Sequence, residues 1–419
     1  MPNTCLVAQI GTRMHYAVPR LLHQAGRLEH LYTDICAVKD WPRALNLVPA
    51  PFRPVRMRRL LGRIPLGVPG RRITAFTNFG CEYARRLARA ATPSDVTATV
   101  LWAGRTFCKN IIAGGLGEAA AVYAFNNAAL ELLQHARECG RVAVMEQTIA
   151  PKQIECDWLD GEHEKFPDWE SAQAKDRFLG QFIAREAAEW RAADLIICGS
   201  EFVREGIAQC GGPVHRCQVV PYGVDSFFRA TERAPRRGPL RVLTVGAIGL
   251  RKGSPCVLAA ARQLRHCAAF RMVGQIKARP GAVAQLRKAV ELTGPVPRSE
   301  ILAHFQWADV FLLPSLCEGS ATVAYEALAC GLPVIATPNT GTVVRDGVEG
   351  FIVPARDVDG IVESLEKLAH DRDLLRGMSR NARQRSIQFN FLAYQKNLLA
   401  VLSPAKRAPL PNTSRISTH

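Results

Sequence analysis

The sequence predicts an α/β protein with two domains, each built around a parallel β-sheet. Short apolar runs typical of buried strands alternate with segments of helical periodicity, and strands that are separated by helices pair in parallel. A chain of 419 residues and 46.0 kDa is too long for one typical core. Its hydrophobic content of 48% is sufficient for complete globular folding.

The first half shows this alternation from its start. Apolar runs predict strands at residues 5–10, 28–32, 120–125, 142–145, 195–198 and 217–221. Helical patterns cover residues 18–25, 75–91, 130–139, 174–192 and 202–207, and Ser200 is the expected cap of the last one. The basic stretch 35–73 is expected to be irregular. The polar stretch 157–171, which contains Trp158 and Trp169, is expected to cap the edge of the domain.

The second half begins after a polar, Pro-containing stretch, TERAPRRGP at residues 231–239, which is the predicted linker. Further strands are expected at residues 240–245, 270–273, 290–293, 310–313, 334–337 and 350–353, with helices from residues 254 and 299 and over 321–330, 358–370 and 389–402. The predicted division is a first domain of residues 1–230, a second of 231–388, a closing helix of 389–402 and a disordered tail of 403–419.

The stretch 310–337, VFLLPSLCEGSATVAYEALACGLPVIAT, is a strand, loop, helix and strand with two carboxylates. Glu318 precedes the helix, which Gly319 or Ser320 is expected to cap, and Glu326 lies inside it. Helix starts bind phosphate well, and Glu326 would lie roughly 8–9 Å farther along the axis. A phosphate at the helix start would leave Glu326 near the ribose of a nucleotide. The simpler alternative is an acid that favours the helix dipole and a half-exposed helical glutamate.

The spacing Glu318-x7-Glu326, between LLPS and EALACGLPVIAT, resembles the donor-binding signature of retaining glycosyltransferases of sequence family 4. The likeness includes VGAIGLRKG (245–253), TGPVPRSEI (293–301), PYGVD (221–225) and EGFIVP (349–354). It implies the GT-B architecture, in which two Rossmann-like domains face a cleft and a C-terminal helix crosses back. The implied activity moves a sugar from a UDP- or GDP-sugar to a hydroxyl and keeps the anomeric configuration.

The resemblance also implies roles for individual residues. The implied catalytic residues are Glu318, which contacts sugar hydroxyls, and Lys252 and Arg251, which offset the charge of the leaving diphosphate. The implied donor-binding residues are Glu326 at the ribose, Val296 at the nucleobase, and Gly319, Ser320, Ala321, Thr322, Gly246 and Gly11 around the phosphates. No cofactor or metal is expected. Asp357-x-Asp359 and Asp371-x-Asp373 are the carboxylate pairs that could suggest a metal site, but they flank a predicted surface helix, where acids are ordinary caps.

Two departures from the family pattern affect these expectations. Ala247 replaces an arginine of the family, so Arg251 is the expected substitute. Many members carry a histidine after the strand at 142–145, whereas this chain has Glu146-Gln147-Thr148. Gln147, Glu146 and His15 are therefore candidates on the acceptor side, although polar strand ends and lone histidines near helix starts are also common without function. The alternatives are another GT-B enzyme, such as a sugar-nucleotide epimerase, or a non-catalytic nucleotide-binding protein.

The net charge of +17 favours anionic partners. The stretch from Arg53 to Arg72 interleaves arginines with aliphatic residues, which is typical of a membrane-surface segment, and a solvated basic face is the alternative. Nucleic acid is not an expected partner, since no nucleic-acid motif is present. We expect a nucleotide sugar and a glycan or glycolipid acceptor as partners, in polysaccharide or cell-envelope biosynthesis.

The cysteines and the chain start bear on location. The 13 cysteines include no C-x-x-C pair, which indicates reduced thiols in the cytoplasm. The sequence contains no run of about 18 apolar residues, so no membrane span is expected. The first residues indicate a strand and not a signal peptide. We therefore expect a cytoplasmic protein, located at the inner face of the membrane if the basic stretch binds lipid.

Overall fold

The computed structural model describes residues 4–49, 52–171, 175–228 and 238–403. Most of the predicted linker and nearly all of the predicted disordered tail therefore lie outside the described residues. The described residues form two sheets whose paired strands all run parallel. The two parallel sheets expected from the alternation of strands and helices are confirmed.

The first sheet has seven strands in the order β3-β2-β1-β4-β5-β6-β7. The strands are β1 (Cys5–Gln9), β2 (Leu28–Thr33), β3 (Ile73–Ala75), β4 (Ala121–Phe125), β5 (Val142–Gln147), β6 (Leu195–Cys198) and β7 (Cys217–Val219). Alternate residues of β1 belong to different cores: Val7 packs in one and Leu6 in the other. Helices thus cover both faces of the sheet, which explains why its central strands are apolar throughout.

The second sheet has six strands in the order β10-β9-β8-β11-β12-β13. They are β8 (Leu240–Val245), β9 (Ala268–Val273), β10 (Val290–Gly294), β11 (Val310–Leu313), β12 (Val334–Ala336) and β13 (Gly350–Ile352). β8 and β11 are neighbours at the centre, and their alternate residues also divide between two cores. The loops after β8 and β11 therefore leave the same edge of the sheet side by side.

The helices lie between the strands in the sequence, as the βα alternation requires. The first half contains α1 (Ala17–Gln24), α2 (Val55–Leu61), α3 (Thr77–Arg89), α4 (Pro93–Gly114), α5 (Leu130–Glu138), α6 (Lys152–Lys165), α7 (Leu179–Ala192) and α8 (Glu201–Gln209). The second half contains α9 (Ser254–Gln263), α10 (Pro280–Leu286), α11 (Arg298–Trp307), α12 (Thr322–Ala329), α13 (Val358–His370), α14 (Arg372–Ile387) and α15 (Phe391–Leu402). None of these described helices combines the length and the apolar character needed to cross a membrane.

Two stretches for which no helix was predicted contain one. Helix α6 occupies most of the polar stretch after residue 152, and only Ile154 and Glu162 of its residues are buried. Because it buries almost no apolar stripe, its sequence lacks the periodicity that indicates a helix. Helix α2 lies within the basic stretch 35–73, between segments rich in Pro and Gly. The expectation of irregular structure was therefore wrong for residues 55–61 of the basic stretch.

Helix α15 returns to the first half, as expected. Asn390 caps the helix, since its side chain accepts a hydrogen bond from the Ala393 amide. The Gln395 side chain donates to the Leu21 carbonyl of α1 over 2.8 Å, and the Tyr394 ring packs edge-on against Tyr222. These contacts attach the C-terminal helix to the first sheet, so the chain crosses between the halves a second time.

The two halves also meet directly at the carboxyl edges of their sheets. The Ser200 hydroxyl donates to the Gly319 carbonyl over 2.5 Å, and the Ala150 amide donates to the Glu318 carbonyl over 3.2 Å. A side chain at position 319 would have no room, because a Cβ there would lie 2.0 Å from the Thr148 carbonyl oxygen. The loops that carry the predicted site thus lie against the first half.

Candidate active site in the cleft between the sheets

A cavity of about 330 Å³ lies where the two sheets face each other. The second half contributes the residues that the sequence singled out around Glu318, and the first half contributes residues that follow β1, β4 and β5. The described lining residues are Arg13, Asn126, Asn127, Thr148, Ile149, Arg251, Lys252, Glu318, Gly319, Ser320, Ala321, Thr322 and Val323. The cavity therefore brings together both halves of the chain at the place where parallel sheets bind ligands.

Glu318 lies between two cations in this cavity. Its Oε1 is 2.7 Å from Lys252 Nζ and 3.1 Å from Arg251 Nη1, and the residue is only 9% exposed. Arg251 also donates to the Cys317 carbonyl over 2.9 Å, which fixes its guanidinium beside the loop. Burial lowers the pKa of Arg251, but the carboxylates of Glu318 and Glu155 outweigh burial and raise it above its usual value. Arg251 is therefore held charged at the cavity.

The loop after β8 is shaped to place Lys252. Gly246 has a φ of +146°, and a Cβ on it would lie 2.9 Å from Lys252 Cε. A side chain at this position would force the lysine to shift, so glycine leaves the space in which Lys252 reaches Glu318. Gly246 supports the site through its backbone and is not among the residues that line the cavity.

The start of α12 differs in detail from the expected one. Neither Gly319 nor Ser320 caps the helix: Ala321 holds the cap position, and no side chain bonds to the first turn there. The Ser320 hydroxyl instead bonds to the Tyr325 hydroxyl over 2.7 Å and to the Gly341 carbonyl over 3.3 Å. The hydroxyl is used to join the loop to its neighbours, so the expected cap was wrong while the position of the helix start at the cavity is as expected.

Glu326 lies beyond the cavity, one helical turn and more into α12. It is 7% exposed, and its Oε1 is 3.1 Å from Nη1 of Arg298, whose guanidinium also lies 5.0 Å from the centre of the Phe228 ring. Burial raises the pKa of Glu326, and Arg298 opposes this rise. The half-exposed glutamate of the simpler alternative is thus excluded. Val296, the expected base contact, is partly buried against the adjacent core.

The first half contributes a hydrogen-bonded chain that the sequence did not single out. Arg13 Nη1 donates to Thr148 Oγ1 over 2.7 Å, and Thr148 Oγ1 donates to Asn126 Oδ1 over 2.8 Å. The Thr148 amide also donates to Asn126 Oδ1, over 3.3 Å. Each residue follows the carboxyl end of a strand, so the rule that ligands bind at this edge is the signal that could have identified them.

Glu146 and Gln147 lie elsewhere than expected, because β5 continues to Gln147. Glu146 is 1% exposed and accepts hydrogen bonds from the hydroxyls of Tyr123 and Tyr222. Gln147 is 0% exposed, donates to Glu186 over 2.8 Å and accepts from the Trp190 indole over 3.0 Å. Both side chains are therefore enclosed in polar contacts of the first half, and Thr148 is the residue of this strand end that reaches the cavity.

His15 belongs to a turn of unusual backbone conformation. Met14, His15 and Tyr16 have φ values of 45°, 52° and 58°, a left-handed conformation that costs about 1–2 kcal/mol for each non-glycine residue. Burial lowers the pKa of His15, and the charges of Arg298 and Arg20 lower it further. His15 is not among the described residues that line the cavity, and its link to the other candidates is the charge of Arg298, the ion-pair partner of Glu326.

Gly11 lies at a second cavity, of about 450 Å³, in the first half. Its amide donates to Asp34 Oδ1 over 3.0 Å. The two cavities share Arg13, Asn126 and Asn127, so Gly11 is next to the candidate site without lining the first cavity.

The two Asp-x-Asp pairs are helix caps, as expected. Asp357 accepts a hydrogen bond from the Gly360 amide over 2.9 Å, and Asp371 accepts one from the Leu374 amide over 2.8 Å. Among the residues that the structure describes, no three His, Cys, Asp or Glu side chains lie together in a way that could hold a metal ion. The first aspartate of each pair thus serves the helix that follows it.

The sequence of the second half matches a known family. Residues 239–371 match the family model described as glycosyl transferases group 1. The putative colanic acid biosynthesis glycosyltransferase WcaL of Salmonella typhimurium is 30% identical over 233 residues, which are 51% of this chain and 57% of the relative. The D-inositol 3-phosphate glycosyltransferase 1 of Catenulispora acidiphila is 30% identical over 251 residues, 53% of this chain and 60% of the relative. These matches span less than two thirds of either relative.

Solved structures with the same fold cover nearly the whole chain. HepE of Anabaena in complex with UDP has a TM-score of 0.61 at 16% identity and covers 96% of this chain and 99% of its own. Sucrose-phosphate synthase of Thermosynechococcus elongatus has a TM-score of 0.65 at 15% identity and covers 95% and 98%. The expected GT-B fold is confirmed by these structures. Residues 239–371, which match the glycosyl transferases group 1 model, carry Lys252, Glu318 and Glu326.

Proposed function

We propose that this protein is a retaining glycosyltransferase that moves a sugar from a nucleoside diphosphate sugar to a hydroxyl of a glycan or glycolipid acceptor. The observation that carries the proposal is the charge arrangement of the first cavity. Its charged lining residues in the described part of the chain are Arg13, Arg251, Lys252 and Glu318, three cations and one carboxylate. This excess of positive charge at a helix start fits a diphosphate, and the single carboxylate fits sugar hydroxyls.

In this proposal the reaction divides between the two halves. The second half binds the donor, with Glu326 at the ribose, Val296 at the base, Lys252 and Arg251 at the diphosphate and Glu318 at the sugar. The acceptor oxygen forms a bond to the anomeric carbon while the bond from that carbon to the diphosphate oxygen breaks. The acceptor proton leaves with the diphosphate, whose developing negative charge the two cations stabilise without a metal ion.

The close contact of the two halves supports transfer in preference to hydrolysis. Gly319 lies directly against the backbone of Thr148, so little room for water exists at this side of the cavity. Exclusion of water matters because an exposed donor would be hydrolysed. An enzyme that handles a reactive donor therefore benefits from this arrangement.

The acceptor belongs, in this proposal, to polysaccharide or cell-envelope biosynthesis, as the names of colanic acid and amylovoran relatives suggest. The basic stretch 53–72 would hold the protein at the cytoplasmic face of a membrane. Phe52, directly before this stretch, is 75% exposed, and Leu66 within it is 62% exposed; Arg58 and Arg71 of the stretch are also exposed. Exposed apolar side chains among arginines favour an anionic lipid surface over a purely solvated basic face.

Two alternatives make different predictions for the products. A sugar-nucleotide epimerase would isomerise the donor without an acceptor, and a non-catalytic binding protein would bind nucleotide without any turnover. Incubation of the protein with a UDP- or GDP-sugar, followed by chromatography of the donor and of released UDP or GDP, separates the three. Transfer or slow hydrolysis supports the proposal, whereas an isomerised donor or a lasting lack of turnover supports the respective alternative.

The first experiment measures thermal unfolding with UDP, GDP and ADP, each with and without EDTA. A nucleotide at about 100 times its dissociation constant adds roughly 2.7 kcal/mol to the free energy of unfolding. Because HepE was solved with UDP, UDP is the first ligand to examine. A stabilisation by one nucleotide that persists in EDTA supports a metal-independent donor site, and no stabilisation by any of them contradicts the proposal.

A further inference from the structure

The second cavity opens beside the proposed donor site. It lies at the carboxyl edge of the first sheet and has a volume of about 450 Å³. Arg13, Asn126 and Asn127 line both cavities, so a ligand in the second one would adjoin a sugar in the first. If the first cavity holds the donor, the second lies where the acceptor hydroxyl must approach.

The charged lining residues of this second cavity, within the described ranges, are Arg13, Asp34 and Arg63. Asp34 already has a cation as its partner. Arg63 Nη2 lies 2.6 Å from both of its carboxylate oxygens, and the Gly11 amide donates to Oδ1 over 3.0 Å. Burial raises the pKa of Tyr83, which also lines the cavity, so this phenol stays neutral. No carboxylate that lines this cavity is left to pair with Arg13, whose charge interacts beyond the cavity with the buried carboxylate of Glu146.

Two hydrogen-bond donors at the cavity lack partners. Asn126 is 2% exposed, and its Oδ1 accepts from the Thr148 amide and hydroxyl, which fixes the orientation of the side-chain amide. Its Nδ2 then has no partner among the residues that the structure describes, and the same holds for Nε of Arg63. Buried donors are normally paired, so these two indicate a ligand with acceptor oxygens.

We propose that the acceptor carries an anionic group, a phosphate or a carboxylate, near the hydroxyl that receives the sugar, and that Arg13, Arg63 and Asn126 bind this group in the second cavity. The inference rests on the proposed function, since the ligand is an acceptor only if the first cavity holds a donor. An anion would satisfy the unpaired donors and would give Arg13 a charged partner within the cavity. Guanidinium groups suit this task because they bind phosphate and carboxylate through paired hydrogen bonds.

The test measures the binding of matched sugars to the full chain saturated with UDP, by calorimetry. Glucose, glucuronate and glucose 6-phosphate share a ring and differ in charge. We expect at least one anionic sugar to bind about tenfold more tightly than glucose, which corresponds to roughly 1.4 kcal/mol. Glucuronate and glucose 6-phosphate separate a carboxylate from a phosphate. Equal binding of all three sugars overturns the inference.

Two variants and a control locate the effect. Arg13→Gln removes the positive charge of Arg13. The double change Asp34→Asn with Arg63→Gln removes both members of the ion pair, so that no carboxylate is left buried without a cation. Each is expected to reduce the tenfold preference to about twofold or less. Arg53→Gln is the control, because Arg53 bonds to the Val48 and Asn46 carbonyls and does not line the cavity. A preference that persists in both variants, or that the control also abolishes, overturns the inference.

The thermal stabilisation by UDP distinguishes the two levels of failure. Stabilisation by UDP without a preference for anionic sugars refutes the anionic acceptor and leaves the donor site intact. No stabilisation by any nucleotide refutes the proposed function, and the inference falls with it.

Discussion

Gly319 offers the sharpest test of the idea that the two halves must meet closely for activity. In Gly319→Ala the added Cβ would lie 2.0 Å from the Thr148 carbonyl oxygen and 2.9 Å from Ile149 Cα. Real Cβ atoms essentially never approach another heavy atom within 3.0 Å, so the two backbones must separate by at least 1.0 Å here. The change lies between the loop of Glu318 and the strand end of Thr148, which carry the two sides of the first cavity.

The expected effect is mainly on the rate of transfer. A misplacement of about 1 Å in an active site can reduce the rate by roughly 100-fold. Overpacking in addition lowers the free energy of unfolding by about 1–3 kcal/mol. Lys252, Arg251 and Glu318 all belong to the second half, so the affinity for UDP should fall much less than the rate.

Three measurements check this prediction: the turnover rate with a sugar donor, the dissociation constant of UDP by calorimetry, and thermal unfolding. Gly281→Ala is the matched control, since a Cβ at position 281 meets no atom within 4 Å and no unusual φ is required there. A folded Gly319→Ala protein that turns over within about threefold of the wild type would refute the reasoning, because the close approach would then be unnecessary for catalysis.

The further predictions concern Glu318, Glu326 and the exposed apolar residues Phe52 and Leu66. Glu318→Gln leaves Lys252 and Arg251 without their carboxylate, so calorimetry should show UDP binding at least as tightly while turnover falls by about 100-fold; wild-type turnover contradicts this. Burial raises the pKa of Glu326, and a protonated carboxyl is a poorer acceptor for the ribose hydroxyls, so the affinity for UDP should decline on acidification at a higher pH than for an ordinary glutamate. The variant Glu326→Gln should bind UDP weakly and without this pH dependence. If the variant has the same pH profile as the wild type, the assignment of Glu326 to the ribose is contradicted. The stability of the unliganded protein should depend on pH in the opposite direction. The folded state holds the proton of Glu326 more tightly than the unfolded state does, so the contribution of Glu326 to the free energy of unfolding falls as pH rises through its raised pKa. The double variant Phe52→Ser with Leu66→Ser should bind vesicles of anionic lipid more weakly in flotation assays, without a change in UDP affinity. Val96→Ser, which changes another exposed apolar residue, is the control. Equal vesicle binding by the double variant and the wild type contradicts membrane contact through residues 52–72.

Much of the fold follows from local sequence patterns. The strands at 240–245 and 310–313 and the helix Val358–His370 have the bounds that their apolar runs and caps predict. These elements can be recognised in the sequence because parallel strands are buried on both faces and the helix buries one continuous apolar stripe. Helix α6 does not, since it buries only two residues and thus leaves no apolar period in the sequence.

The half of the site in the second domain is likewise visible in the sequence. Glu318 and the start of α12 are close in sequence, and the loop of Lys252 leaves the same sheet edge from the neighbouring strand. The geometry of strand, loop and helix places such residues together whatever the rest of the chain does. Residues 239–371, which include this loop and helix, are also the part of the chain that matches the glycosyl transferases group 1 model.

The other half of the site depended on tertiary structure. Arg13, Asn126 and Thr148 are separated by more than a hundred residues from first to last, and they meet because β1, β4 and β5 are neighbours in one sheet. Glu146 and Gln147 show the same dependence in reverse: they are polar residues at a strand end, yet two tyrosines and a tryptophan bind them inside the core. By itself the sequence determined the described strands other than β3 and placed Glu318 in the loop before α12, because these features depend on neighbours along the chain. Only the packing of distant strands decided which polar side chains reach the cleft.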